Sequence, residues 1–335
     1  MVVLEAMLYQ KLNSAVKCNL CGWRCTIQSG KRGICGVREN RGGILHSLVY
    51  GKAISYAVDP IEKKPLYHFH PGSTAFSIAT VGCNFKCIFC DNWSISQDRE
   101  IKGEDLPPEE VVSMAKQAGC LSISYTYTEP TIFFEYAYDT ARIAHREGLY
   151  NTFVTNGYMT PEAVDTINGY LDAATVDFKG SGDPDFYRSF CKVPNTEPIY
   201  QSLLEMKEKK IFIEITNLIV TGGGDSKDAF LKLVRWIIDN LGDDVPIHIL
   251  RFFPSYIYTN SLPPQISFLE ELWRISKSEG LKYVYLGNVP GHKYENTYCP
   301  RCNKILIERF GFDVIHTRLK GKKCAFCGEE INIVI

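Results

Sequence analysis

The chain has 335 residues, which is large for one core and ordinary for an α/β barrel with small additions. Its 37 basic and 38 acidic residues give a formal net charge of −1, so overall charge attracts neither nucleic acid nor an anionic membrane. The first residues lack the basic and apolar regions of a secretory signal, and no stretch is apolar over enough length to span a bilayer, so we expect a cytoplasmic protein.

Thirteen cysteines are the unusual feature of the composition. A disulfide scaffold is typically small and secreted, and this chain is neither. Cys120 and Cys191 stand alone and are expected to be buried or incidental thiols. The other eleven form three clusters: Cys18, Cys21, Cys25 and Cys35; Cys83, Cys87 and Cys90; and Cys299, Cys302, Cys324 and Cys327. Each outer cluster has enough thiols to close a tetrahedral metal site, and the middle cluster does not.

The first cluster opens with a C-x2-C-G sequence at 18–22, which has the form of a metal-binding knuckle. Cys25 and Cys35 complete a set of four thiols. Four thiolates fit either structural zinc or an auxiliary [4Fe–4S] cluster. The turn sequence slightly favours zinc, and unliganded thiols are the remaining alternative.

The segment 44–70 precedes the regular part of the chain. Two short β-like runs within 44–58 flank Gly51 and predict a hairpin. The stretch 59–70 is rich in Lys, His and aromatic residues. Two interpretations are open for its basic side chains: they point into an active site, or they belong to a solvated turn. These side chains are Lys63, Lys64, His68 and His70.

From residue 73 onwards strand-like and helix-like segments alternate. Strands are predicted at about 75–81, 121–125, 150–155, 173–178, 211–219, 246–253 and 282–286. Helices are predicted to begin at 107 and to cover 131–146, 161–168, 199–209, 227–240 and 265–278. Such alternation predicts a parallel sheet with right-handed crossovers. An ordinary doubly wound sheet is the alternative to a barrel, but no G-x-G-x-x-G follows the first strand.

The middle cysteine cluster follows the first of these strands. Cys83, Cys87 and Cys90 have the spacing C-x3-C-x2-C, and Gly82 separates them from the strand. Three thiolates on a cubic iron–sulfur cluster leave one iron open to a small molecule. The cluster therefore lies at a strand end, where α/β folds place chemistry.

Polar residues also follow the later strands. Asp177 and Lys179 share one face of the fourth strand, because side chains alternate between faces. Glu214 and Thr216 share a face of the fifth in the same way, and His248 and Arg251 lie on opposite faces of the sixth. Charges on an inner face are costly unless paired or used. Glu214, His248 and Arg251 therefore indicate either ligand contacts or an internal ion-pair network.

The C-terminal segment changes character at about residue 296. Its four cysteines have the spacing C-x2-C-x21-C-x2-C, and the alternating segments 304–310 and 313–317 lie between the two pairs. This pattern is typical of a zinc ribbon, and such a unit is folded by its metal.

These motifs carry a family resemblance. The C-x3-C-x2-C loop after a first strand resembles the radical S-adenosylmethionine (radical SAM) enzymes. The string 82–93 is similar to the branch related to pyruvate formate-lyase activating enzymes. Together with 32–38, 59–68 and the C-terminal cysteines, it most resembles the AmmeMemoRadiSam-type radical SAM proteins.

The resemblance implies an α/β fold with a partial (β/α)6 radical SAM barrel at 73–290. An N-terminal cysteine-rich extension (1–72) and a C-terminal zinc-ribbon-like segment (291–335) would flank it. It also implies that the middle cysteines bind a [4Fe–4S] cluster whose open iron binds SAM. The expected SAM contacts are Thr128, Glu129, Asn156, Asp177 and Lys179. By this resemblance the segment 127–130, which contains Glu129, replaces the Gly-Gly-Glu-type motif that holds the SAM amino group. Helix capping is the alternative role of Glu129.

The implied activity is reductive cleavage of SAM to a 5′-deoxyadenosyl radical that abstracts hydrogen from a substrate, with an electron from a ferredoxin or flavodoxin type donor. We expect a small-molecule substrate, in a pathway with Memo-like and AMMECR-type proteins. One alternative is an activase that installs a glycyl radical on a partner enzyme. RNA modification is disfavoured by the neutral charge. The alternative from another class is a non-catalytic iron–sulfur or zinc protein for electron transfer or docking.

Overall fold

The computed structural model of the protein describes residues 3–335. The N-terminal segment consists of short strands: β1 (Leu4–Glu5), β2 (Tyr9–Leu12), β3 (Ala15–Cys18), β4 (Thr26–Gln28), β5 (Arg38–Arg41), β6 (Ile44–Ser47) and β7 (Lys52–Ala53). Strands β1 to β6 form two small antiparallel sheets, one in the order β2-β3-β4 and one in the order β1-β6-β5. The loops of these sheets carry the first cysteine cluster.

The central part of the chain alternates strands and helices. Its elements are β8 (Ser55–Pro60), β9 (Thr74–Ala79), α1 (Trp93–Ser96), β10 (Glu104–Asp105), α2 (Pro108–Gln117), β11 (Ser122–Tyr125), α3 (Phe134–Arg146), β12 (Tyr150–Thr155), α4 (Pro161–Ile167), β13 (Ala173–Lys179), α5 (Pro184–Phe186), α6 (Glu197–Glu208), β14 (Phe212–Ile219), α7 (Lys227–Asn240), β15 (Ile247–Arg251), α8 (Ile266–Glu279) and β16 (Val284–Gly287).

All of these strands except β10 build one open sheet in the order β16-β15-β14-β13-β12-β11-β9-β8. All neighbouring pairs from β9 to β16 are parallel, and β8 pairs with β9 in the antiparallel direction. Parallel pairing brings the carboxyl ends of the strands to one edge of the sheet. The predicted α/β fold with a parallel sheet is confirmed.

Local sequence explains where the helices begin and end. Thr160 and Ser226 cap α4 and α7 with their hydroxyl groups, and α8 ends at Gly280 in the left-handed conformation. The predicted start of α3 at residue 131 is three residues early. Pro130–Phe133 form a 3-10 turn instead, because the Glu129 carboxylate accepts a hydrogen bond from the Thr131 amide.

The predicted hairpin around Gly51 is wrong. The residues before it, β6, pair with β5 across a turn at Gly42 and Gly43, whose positive φ angles of 62° and 88° suit the turn. The residues after it pair elsewhere: β7 with β10, and β8 with β9 at the edge of the central sheet. The two β-like runs therefore pair with other strands and not with each other.

The C-terminal segment forms β17 (Thr297–Tyr298), β18 (Ile305–Phe310), β19 (Asp313–Thr317), β20 (Leu319–Lys320) and β21 (Lys323–Cys324). Strands β18 and β19 pair in the antiparallel direction, as their alternating sequence predicts. Arg309 of β18 is buried and joins this segment to the rest of the chain, since its guanidinium contacts Glu62 at 3.4 Å and donates to the Tyr67 carbonyl at 2.9 Å. Within residues 3–335 no helix combines the length and apolar character needed to cross a bilayer.

Candidate active site and metal centres

The middle cysteine cluster lies on a loop beyond the carboxyl end of β9. Hydrogen bonds to neighbouring chain segments fix its course: the Lys86 amide donates to the Cys191 carbonyl, and the Ile88 amide to the Phe190 carbonyl, both at 3.0 Å. Phe85 and Phe89 are almost fully buried beneath the loop. The loop is therefore a rigid platform, with its cysteines held by backbone contacts on one side and aromatic packing on the other.

Gly82 is required at the start of this loop. Its φ of +95° lies in the left-handed region. A Cβ atom there would lie 2.9 Å from the Cys35 carbonyl oxygen and 2.7 Å from the Val37 side chain. The glycine thus permits the N-terminal segment to pack directly against the cysteine loop.

The three thiols of this loop open into a cavity of about 470 Å³. Such a volume suits a small-molecule ligand. Every SAM contact expected from the sequence also lines the cavity: Thr128, Glu129, Asn156, Asp177 and Lys179. The structure thus brings together the thiols and the polar strand ends that the sequence singled out.

The donor set fits an iron–sulfur cluster with an open iron. Cys83, Cys87 and Cys90 supply three thiols, and their sulfur atoms do not converge within the 4.8 Å that a single ion requires, as judged over the described part of the chain. A [4Fe–4S] cluster separates its ligands, because each thiolate binds a different iron. Burial raises the pKa of the Cys83 thiol, with the nearby Glu129 carboxylate acting in the same direction.

Glu129 organises the strand ends on one side of the cavity. Its Oε1 atom accepts hydrogen bonds from the Thr131 and Thr155 hydroxyls at 2.5 and 2.7 Å, and its Oε2 atom accepts from the Asn156 amide at 2.8 Å. Burial raises the pKa of the Glu129 carboxyl against the effect of these donors. The capping role expected as an alternative is therefore present.

Asp177 and Lys179 lie on one face of β13, as the alternation predicted. The Lys179 ammonium is 2.5 Å from the Asp177 carboxylate, which also accepts from the Thr216 hydroxyl. Burial alone would lower the pKa of Lys179, but the attraction of Asp177 outweighs it and raises that pKa. The pair presents a fixed cation and anion to the cavity.

A second charged group on the cavity wall comes from the 59–70 stretch. Lys64 is buried and lies 2.6 Å from the Asp59 carboxylate, and the Tyr127 hydroxyl donates to the same carboxylate. Burial lowers the pKa of Lys64 to about 8, although Asp59 acts in the opposite direction. Lys63 and Lys64 both border the cavity, in line with the interpretation that basic side chains of this stretch point into an active site.

His68 and His70 do not reach this cavity. The His68 ring contacts the Asn332 carbonyl and the Tyr285 hydroxyl, each at 2.6 Å, and the His70 ring packs on Tyr150. Both histidines belong to the packing of the C-terminal tail against the sheet. Sequence could not separate them from the two lysines, because all four lie in one polar stretch.

Glu214 and His248 form a buried pair inside the sheet rather than part of the cavity. The His248 Nε2 atom is 2.8 Å from the Glu214 carboxylate, which also accepts from the His68 amide at 2.7 Å. Arg251 instead donates to the Pro264 carbonyl at 2.9 Å. For these residues the internal-network interpretation fits the contacts.

Asp59, Tyr127 and Cys191 are site residues that the sequence analysis missed or undervalued. Cys191 is buried as expected, but its carbonyl accepts the hydrogen bond from the Lys86 amide that helps to fix the middle cysteine loop, so it is not incidental. Asp59 and Tyr127 are 68 positions apart in the chain. Only the positive φ of Tyr127, +60°, marks it as unusual, and that is a property of the backbone that sequence does not reveal.

The C-terminal cysteines form a compact four-thiol metal centre. The Cys299 and Cys327 sulfurs are 3.6 Å apart, those of Cys302 and Cys324 are 3.7 Å apart, and all four lie within 4.8 Å of one another. Tetrahedral zinc with bonds of about 2.3 Å places its sulfurs at about this separation. The predicted grouping of these four residues is confirmed.

The N-terminal cysteines are also brought together. Cys18, Cys21, Cys25 and Cys35 line one cavity with apolar walls that include Leu20 and Ile132. Beside it the Trp23 indole donates to the Asn84 carbonyl, within the middle cysteine loop, at 2.8 Å. The two cysteine-lined sites are neighbours.

Comparison with known proteins identifies a family domain within this chain. The model of the radical SAM superfamily matches residues 77–237. The chain is 45% identical over 336 residues to the uncharacterized protein MJ0808 of Methanocaldococcus jannaschii, covering 99% of both chains. It is 32% identical over 105 residues to the cysteine-type anaerobic sulfatase-maturating enzyme of Clostridium perfringens, covering 28% of each.

A solved structure supports the fold. The crystal structure of a radical SAM methyltransferase from Sphaerobacter thermophilus superposes with a TM-score of 0.51 at 17% identity, over 66% of this chain and 68% of that one. At this identity the likeness concerns the fold alone. The cysteine loop at the end of β9 and most of the parallel sheet behind it lie within residues 77–237, and the family match shows that this part of the chain is a radical SAM domain.

Proposed function

We propose that this chain cleaves SAM reductively and uses the resulting radical to abstract hydrogen from a small-molecule substrate. The observation that carries the proposal is the set of three thiols, not four, opening into a cavity of about 470 Å³ at the carboxyl edge of a parallel sheet. When bound, a [4Fe–4S] cluster and SAM supply one-electron cleavage of the sulfonium to methionine and a 5′-deoxyadenosyl radical.

The residues of the chain bind and orient the ligands. Cys83, Cys87 and Cys90 would hold the cluster. Glu129 positions the Asn156 amide and presents a carboxylate edge suited to the SAM ammonium. The Asp177–Lys179 pair offers hydrogen bonds to polar groups of SAM and substrate.

Burial of the site serves the same function. Phe85 and Phe89 are almost fully buried beneath the cysteines and keep water from the ligands on that side. An apolar surrounding also tunes the potential of an iron–sulfur cluster.

Within the superfamily we propose the AmmeMemoRadiSam-type branch, with Memo-like and AMMECR-type proteins in the same pathway. Two of the strings that carry this resemblance border the site: Val37, from 32–38, packs against Gly82, and Lys64, from 59–68, lines the cavity. A buried lysine on the wall favours a small polar substrate. The electron donor would be of the ferredoxin or flavodoxin type.

A second candidate is an activase or maturase that acts on a partner protein. Trp93 and Tyr256 stack at 5.1 Å, and Phe253 and Ile257 are exposed nearby, in the segment whose Ile257 amide donates to the Ile88 carbonyl. An exposed aromatic surface beside the cysteine loop is suited to a peptide or protein. The partial similarity to a sulfatase-maturating enzyme is in line with this candidate.

Anaerobic reconstitution tests the proposal. The protein, loaded with iron and sulfide and reduced with dithionite, is expected to convert SAM into 5′-deoxyadenosine and methionine. Replacing Cys83, Cys87 or Cys90 by Ala is expected to abolish the product, whereas the control Cys120→Ala retains it, because Cys120 is buried away from the site. Absence of 5′-deoxyadenosine while the cluster is intact would refute the proposal.

The two substrate classes are separated by fractionation. A small-molecule fraction of a cell extract is expected to raise the rate of 5′-deoxyadenosine formation above its basal value. Stimulation by the macromolecular fraction alone would favour the second candidate.

A further inference from the structure

The N-terminal cysteine site is built for a ligand. Cys18 lies at the end of β3, and Cys21, Cys25 and Cys35 lie on the loops that follow it. All four line the same cavity. Backbone groups of Trp23, Ile34 and Val37 lie within hydrogen-bonding reach of the thiols of Cys21, Cys25 and Cys35.

Arg38 is the cation of this site. It is 1% exposed and lines the cavity, and its Nη1 atom lies 3.5 Å from the Cys18 sulfur. The same side chain pairs with buried Glu135 at 2.5 Å, while its Nε atom has no hydrogen-bond partner within residues 3–335. A buried guanidinium with a spare donor beside four thiols fits an anionic ligand.

The spacing of the sulfurs decides between zinc and an iron–sulfur cluster. In the C-terminal centre the four sulfurs lie within 4.8 Å of one another, as tetrahedral zinc requires. In the part of the chain that is described, no three of the N-terminal sulfurs meet that limit, and neither do the three of the middle loop. The N-terminal set therefore shares the wider spacing of the cluster-binding triad and not that of the zinc-like centre.

We propose that Cys18, Cys21, Cys25 and Cys35 bind a second [4Fe–4S] cluster, closed by four thiolates. Since every iron then has a protein ligand, no position is open to SAM, and this restricts the site to one-electron chemistry. The turn sequence C-x2-C-G slightly favoured zinc, and the spacing argues against it. The assignment does not rest on SAM cleavage at the neighbouring site.

Packing places the second cluster site beside the first. The Cys35 carbonyl lies against Gly82, and Trp23 bonds to Asn84 at the base of the middle loop. Lys86 lies in the middle loop and donates through its ammonium to the Cys83 carbonyl at 3.0 Å.

The test is metal analysis of the full chain with Cys83, Cys87 and Cys90 all replaced by Ala. After anaerobic reconstitution we expect about four iron and four sulfide per chain, about one zinc, and a reduced-cluster EPR signal that SAM does not change. Two zinc and no iron would overturn the proposal, as would one zinc and no other metal.

The unaltered protein provides a second measurement in case the triple variant does not fold. Mössbauer spectra are expected to show about eight iron per chain, of which SAM perturbs the environment in one cluster only. About four iron per chain would contradict the proposal. If eight iron are present and none responds to SAM, the second cluster stands and the proposed function fails.

Discussion

Single side chains decide how the cavity handles charge. Asp59 is contacted by Lys63, Lys64 and Tyr127, and this concentration of donors holds the pKa of its carboxyl well below the usual range, against the effect of burial. The Lys64 ammonium is buried beside this carboxylate, and burial disfavours its charged form. The cavity therefore contains a lysine with an unusually low affinity for its proton.

Lys64 is expected to titrate near pH 8. Its ammonium is charged below that pH and neutral above it, whereas an ordinary lysine stays charged up to about pH 10.4. Competitive labelling with a small acylating reagent, read by mass spectrometry over pH 6–11, should give a midpoint near 8 for Lys64. Exposed Lys11 is the control for the reactivity of the reagent. An ordinary midpoint for Lys64 would contradict its burial beside the cavity.

Glu129→Ala is expected to weaken SAM binding more than cluster assembly. Removing the carboxylate takes away the acceptor for the SAM ammonium, and a hydrogen bond to a charged group is worth about 1.5–3 kcal/mol, or roughly 12- to 150-fold in affinity. It also leaves the Thr155 hydroxyl and the Asn156 amide without their acceptor. Equilibrium dialysis measures the affinity for SAM, and iron analysis per chain measures cluster assembly, so the two effects are separated. Exposed Glu208→Ala is the control. Unchanged SAM affinity would remove Glu129 from the binding site.

At this scale the sequence predicted residue types better than their contacts. The cysteines and the Asp177–Lys179 pair follow from spacing and alternation, which are local properties. The contact between Asp59 and Tyr127, and that between the Lys86 amide and the Cys191 carbonyl, join distant segments. No periodicity encodes such contacts.

The elements were largely predictable because hydrophobic periodicity is local. In α3, for example, the buried residues Phe134, Ala137, Ala141 and Ala144 repeat at helical spacing. The hairpin around Gly51 failed for the opposite reason, since pairing is a choice among partners. The sequence predicted where strands lie, but it did not predict which strands pair.

Gly82→Ala tests the contact between the N-terminal segment and the cysteine loop. The added Cβ would collide with the Cys35 carbonyl at 2.9 Å, so we expect a lower thermal midpoint and less bound iron. Gly119→Ala is a matched control, because its φ of +68° carries a similar backbone strain with nothing within 4 Å of the added atom. Equal effects of the two substitutions would show that the close approach is unimportant.

Arg309→Leu tests the attachment of the C-terminal segment. The change leaves the Glu62 carboxylate buried without its cation, which typically costs about 3–5 kcal/mol. Limited proteolysis should release fragments from 291–335 sooner than in the unaltered chain. Arg301→Leu, which removes an exposed pair at 3.9 Å, should have little effect. Equal resistance of both variants would contradict an anchoring role for Arg309.

The whole molecule arranges three cysteine centres around one parallel sheet. The open triad lies at the carboxyl edge of the sheet, the N-terminal set packs beside it, and the compact C-terminal set lies in the anchored terminal segment. The number of thiols at each centre was readable from the sequence. Their spacing and proximity required the fold.

Electron–nuclear double resonance tests most directly whether the triad of Cys83, Cys87 and Cys90 leaves one iron free for SAM. The reduced, reconstituted protein is mixed with SAM labelled with 15N in the amino group and 17O in the carboxylate. We predict hyperfine coupling of both labels to the cluster, and its loss in Cys87→Ala. An intact, reduced cluster in the unaltered chain that couples to neither label would show that no iron of the cluster binds SAM.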